Sequence, residues 1–163
     1  MKFLSFKDKY TFEIYQNIGE PSQSIHLIEI NPVERILQGL KITTLRVKRN
    51  RPRIYQVRQG SYKKPIIAPF RVNIWKVEPR KFNSLSLQEI QKDIGLTDSE
   101  FRIIETCEGD LGDMMRFFLE KFQKISGVKT FNFESTAYLH YLKVNHVNEG
   151  NTLDKFVVKR KGD

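Results

Sequence analysis

Cysteine is nearly missing from this chain. Cys107 stands alone among 163 residues, which excludes an intramolecular disulfide and any zinc site built on cysteine. Long apolar runs are missing too: no stretch approaches the roughly 20 apolar residues that cross a bilayer. The opening MKFLSFKDKYTF puts charges where a signal peptide needs an unbroken apolar core. A protein of the reducing cytoplasm with no membrane contact is therefore expected. His26, His140 and His146 lack metal-ligand spacing and have no carboxylate cluster beside them, so structural histidines and no metal are expected. Negative charge is absent most unevenly. Residues 41–81 hold one acid, Glu78, against thirteen Lys/Arg, whereas residues 1–40 hold four Lys/Arg against five acids and residues 82–163 hold eleven against thirteen. The middle block alone carries +12, more than the +9 of the whole chain.

What is present fits a globular chain of single-domain length, with 39% apolar and 29% charged residues. The basic block also holds Tyr55, Tyr62, Phe70 and Trp75. A local cationic field interleaved with aromatics is what single-stranded nucleic-acid binding uses; a solvated loop that only aids solubility is the competing reading. The expected phosphate contacts are Arg46, Lys48, Arg49, Arg51, Arg53, Arg58, Lys63 and Lys64, with Tyr55 and Tyr62 as stacking residues and Trp75 as core. Arg46 is expected to meet a phosphate or the carboxylate of Glu108.

Local patterns predict the elements. Phe3–Phe6 and Tyr10–Tyr15 read as a hairpin around Lys7-Asp8-Lys9, and residues 18–24 as a turn-rich connection. Ile25–Ile30 reads as a buried strand. Asn31-Pro32 supplies an N-cap and a first-turn proline for a helix of about two turns that stops at Gly39. Ile42–Val47 and Ile54–Val57 read as strands separated by a basic loop, and Phe70–Val77 alternates as a half-buried strand does. Ser84 or Ser86 caps a helix ending at Gly95, and Thr97 opens a capping box for a helix from about Ser99. Residues 108–112 interrupt it, and an apolar helix through Met114, Met115 and Phe117–Phe122 follows, with no cofactor implied. Lys129–Phe133, Thr136–Val144 and Leu153–Lys161 complete the expected strands. The class is α+β with a small mixed sheet or open barrel, divided into an N-terminal hairpin extension (1–24), a core (25–145) and a C-terminal strand or basic tail (146–163).

Gly39, Lys41, Thr44 and Arg46, in a Gly-x-Lys-x-x-Thr-x-Arg spacing between a capped helix and a basic loop, resemble the ASCH family, a branch of the PUA-like β-barrels. The stretch from Phe82 to Leu87, the Glu108-Gly109 pair and a closing strand at Tyr138–Val144 support the likeness. The resemblance implies a barrel of five or six strands whose cleft takes RNA or a modified nucleoside. Some small members resemble amidohydrolases acting on acetylcytidine; carried over, their catalytic residues would be Lys41, Thr44 and Glu108. A threonine nucleophile needs a base beside it, and lysine serves only when desolvation or nearby cations depress its pKa. Positions 41 and 44 point to opposite faces of a regular strand, so Lys41 must sit in the turn before it or be re-aimed by a bulge. Three functions follow as alternatives: nucleic-acid binding, hydrolysis of an acylated nucleoside, and docking of an acidic protein.

Overall fold

A curled five-stranded half-barrel sheet forms the centre of the fold. The computed structural model describes residues 2–19, 22–60 and 63–147; Tyr62, the side chain of His146 and the expected strand or tail beyond residue 147 lie outside them. The elements in order are β1 (Phe3–Phe6), β2 (Tyr10–Gly19), β3 (Ser22–Ile30), α1 (Pro32–Leu37), β4 (Thr43–Arg46), β5 (Ile54–Gln59), β6 (Ile66–Lys81), α2 (Leu87–Ile94), α3 (Asp98–Glu108), α4 (Leu111–Ser126) and β7 (Thr136–Val147). The main sheet runs β1-β5-β6-β7-β4, so β1 and β4 are its two edges; β2 and β3 form a separate two-stranded ribbon.

The N-terminal hairpin does not form as the sequence pattern predicts. β1 pairs in parallel with β5, Leu4 opposite Val57, while β2 pairs antiparallel with β3, Tyr10 opposite Ile30. The reason is that the two apolar runs serve different cores. Leu4 and Phe6 are buried inside the curl of the sheet with Val57, Phe70, Val72 and Ile74. Phe12 and Ile14 pack instead against the helical layer through Phe117, Phe118 and Ile104. Lys7-Asp8-Lys9 is thus a passage between two cores and not a hairpin turn. Each fully buried Phe or Ile in these clusters contributes about 1.5–3 kcal/mol by leaving water.

The helices begin and end where their caps dictate. Asn31 accepts from the Val33 and Glu34 amides at the start of α1, and Gly39 follows at φ +76°. Ser86 and Thr97 each form a complete capping box, with Glu89 and Glu100, for α2 and α3. Asp110 caps α4, which closes at Gly127. Lys129–Phe133 is not a strand. Its Phe-Asn-Phe alternation buries Phe131 against Phe82 and Phe122, and its backbone turns on local bonds from the Asn132 amide to Ser135 Oγ and from the Glu134 amide to Asn132 Oδ1.

Candidate functional site

The edge strand β4 is where the sheet, the basic loop and the helices meet. Thr44 and Arg46 pair with His140 and Tyr138 of β7, and Thr43 and Leu45 with Tyr141 and Leu139. Alternation sends Thr43 toward α2, where its hydroxyl donates to Asp93 Oδ1 at 2.9 Å. Thr44 turns the other way and lines a cavity of about 560 Å³ with Lys41, Arg46, Lys48, Asn50 and Asp93. Lys41 sits in the turn before β4, as its spacing from Thr44 requires. The cavity's other walls are apolar: Leu45, Phe82, Leu85, Phe118, Phe122 and Leu139. Its lining carries five cations, Lys7, Lys41, Arg46, Lys48 and Lys121, against two carboxylates, Glu89 and Asp93.

Lys41, Asp93 and Arg46 are each held in place. The Lys41 ammonium donates to the carbonyl of Thr43 at 2.8 Å and to the carbonyl of Asp93 at the C-terminal end of α2, where the helix dipole favours a cation. Burial nevertheless dominates and lowers its pKa to about 8; Asp93 opposes the shift and Arg46 adds to it. Burial likewise pushes the Asp93 carboxyl up, against the pull of Lys41, the Thr43 hydroxyl and the Leu45 amide. Arg46 donates to the carbonyl of Ser5 at 2.7 Å and to Thr44 Oγ1 at 3.3 Å, and its guanidinium lies 4.8 Å from the Phe6 ring centre. It therefore spans the gap between the edge strands β4 and β1. Burial lowers its pKa to about 10. Among the described residues no carboxylate lies within 4.0 Å of it.

His140, fully buried, ties the basic loop to this edge. The Asn50 amide donates to its Nε2 at 2.9 Å, so Nδ1 carries the hydrogen that reaches the Thr44 carbonyl at 3.0 Å. Burial lowers its pKa, which keeps the ring neutral. Lys48, Arg49, Arg51 and Arg53 are exposed along that loop.

Several predicted site residues lie elsewhere. Glu108 ends α3 and is absent from the cavity wall; its electrostatic neighbours are Asp113, Glu120 and Lys121. The carboxylate beside Lys41 is Asp93. Tyr55 is 5% exposed, packed inside the curl with its hydroxyl on the Arg51 carbonyl at 2.8 Å, so it cannot stack on a base. Trp75 reverses its expectation as well, at 54% exposed. Phe70, Val72 and Ile74 point inward, which places Arg71, Asn73 and Trp75 outside. Arg58 lies over the Phe3 ring, 4.8 Å from its centre, and Lys63 and Lys64 are exposed at the β5–β6 connection; none of the three lines the cavity.

Among the described residues no group of His, Cys, Asp and Glu is placed to hold a metal ion, and no helix is long and apolar enough to cross a membrane. The chain matches no family model, and it has no significant match among curated proteins or solved structures.

Proposed function

We propose that the protein binds single-stranded nucleic acid, RNA in the first instance, and takes one nucleoside of it into the cavity beside β4. The observation that carries this reading is Arg46: a guanidinium in a cavity wall, without a carboxylate partner among the described residues, at the root of a loop of exposed cations. The volume lies within the roughly 300–1,000 Å³ that small-ligand sites occupy. An apolar floor suits the faces of a base, and the cationic rim suits the phosphates on either side. Lys41, Thr44 and Arg46 of the motif line this cavity, which supports the ASCH-like, PUA-like reading of the curled sheet. Fluorescence anisotropy of a labelled oligonucleotide against the full chain tests it. Arg46→Gln should weaken binding by about 1.5–3 kcal/mol, the worth of one hydrogen bond to a charged group, with Arg46→Lys recovering part of the loss. Equal affinities in all three proteins would remove Arg46 from the interface.

A second reading, hydrolysis of an acylated nucleoside, is favoured by the lowered pKa of Lys41, which lines the same cavity as Thr44. In it Lys41 in its neutral form accepts the Thr44 proton as the hydroxyl oxygen attacks the acyl carbon, the acyl C–N bond breaks as Lys41 passes that proton to the departing amine, and water then releases the acyl group from Thr44 as the free acid; Asp93 takes the orienting place expected of Glu108.

A further inference from the structure

The half-barrel has a second face, on the outside of the curl. α2 covers one end of it through the Arg80–Glu89 pair, bidentate at 2.7 and 2.9 Å. Beyond that cover the face is open among the described residues, and a bulge interrupts the β6–β7 register between Ile74 and Lys76. An extra residue at a bulge lets consecutive side chains share one face of a strand. Here Trp75 and Lys76 are both exposed. Tyr141, opposite Lys76 on β7, lies beneath them: its ring centre is 5.3 Å from that of Trp75 and 5.1 Å from Lys76 Nζ. The Tyr141 hydroxyl is fixed by Glu78 Oε1 at 2.5 Å, so the ring cannot swing away.

Charge complementarity names the occupant. Alternation along β6 and β7 puts Arg71 on the same open face, and Lys143 stands opposite Asn73 there. Glu78, the acid in contact with Tyr141, is already held by Tyr141, Lys76 and Arg80. An aromatic pair with one ring half open to water, set among cations, offers a base a surface to stack on and its phosphates a partner.

We propose that Trp75, seated on Tyr141 and flanked by Lys76, Arg71 and Lys143, is a stacking platform for a base of single-stranded nucleic acid, separate from the cavity at β4. The proposal rests on the nucleic-acid reading above and adds to it a second point of contact on the outer face of the sheet. Two such points would hold a strand that wraps the sheet, and would favour oligonucleotides over single nucleosides.

Trp75 is the chain's one tryptophan, so indole emission reports on this site alone. Oligouridine titrated into the full chain should quench that emission, whereas heparin, a polyanion without bases, should not. Trp75→Leu should weaken oligouridine binding about 5- to 150-fold, the range for one stacked base. Lys143→Ala should lower the log–log salt slope by about 0.7, the share of one phosphate contact on a single strand. Binding that depends on Arg46 but leaves the emission unchanged would overturn the platform and keep the cavity. Quenching with an affinity indifferent to Arg46 would do the reverse. Equal quenching by heparin would make this a face for polyanions in general, an acidic protein included, and overturn base stacking; no binding of oligouridine would overturn both.

Discussion

Lys41 is the residue on which the two functional readings part. Its ammonium is lowered from 10.5 to about 8 chiefly by burial, so the unfolded chain holds this proton at higher pH than the folded one. Its contribution to stability is therefore present above 10.5 and lost as pH falls through about 8. Ligand binding runs the other way. A phosphate-bearing ligand favours the charged amine, so oligonucleotide affinity should fall as pH rises from 7 to 9, and Lys41→Met should flatten that profile. If Lys41 is instead a general base, release of acetate from acetylcytidine should rise through the same window and vanish in Thr44→Ala. A flat affinity profile in the unmodified protein would take Lys41 out of the ligand's reach. At this scale Lys41 and Thr44 were singled out by the likeness to a family motif, and their spacing then required Lys41 to sit in the turn before the strand, where it is found. Asp93 was not read, although it carried a signal: an acid in the last turn of a helix opposes the dipole and needs a compensating cation from outside. Tyr55 and Trp75 exchanged places because composition says which residues are near one another and only the strand's alternation says which face they take.

Among the elements, the junction of α2 with the turn before β4 controls the site. The last carbonyls of α2 accept from groups that precede β4: the Ile42 amide binds the Lys92 carbonyl, Lys41 that of Asp93 and Arg35 that of Gly95. This packing requires glycine at position 95. Its φ is +86°, and a Cβ there would lie 2.8 Å from Arg35 Cβ and 2.9 Å from Lys41 Cβ. Gly127, at φ +75° with nothing within 4 Å of a built Cβ, is the control. Gly127→Ala should cost only the left-handed conformation, about 1–2 kcal/mol. Gly95→Ala should cost more than that and also displace Lys41; denaturant midpoints of the two variants give the comparison, and equal midpoints would show that the close approach is not constraining. Gly95 was legible in the sequence as a helix stop, as were Ser86, Thr97 and the Asn31-Pro32 start, because caps act within four residues. The partners of β1 were not legible, since parallel pairing with β5 is decided some 50 residues away by which core Leu4 and Phe6 fill.

For the whole molecule, the segregated charge becomes a surface only once the chain is folded. The basic block of residues 41–81 supplies β4, the loop after it, β5 and β6, so its cations divide between the cavity rim, the exposed loop and the outer face of the sheet. They are neighbours in the sequence; the curl of the sheet separates them into three different surfaces. The curl itself arises from the two cores, one inside it beneath α1 and one between its outer end and α2–α4. On the proposed function a nucleoside occupies the cavity beside β4. Nitrogen–proton correlation NMR of the full chain, titrated with cytidine 5′-monophosphate, tests it most directly. Shifts that saturate together are expected at the amides of residues 41–50 and of residues 82–93, two segments that line the cavity. Shifts confined to residues 71–76 and 141–143, or none at millimolar ligand, would contradict it.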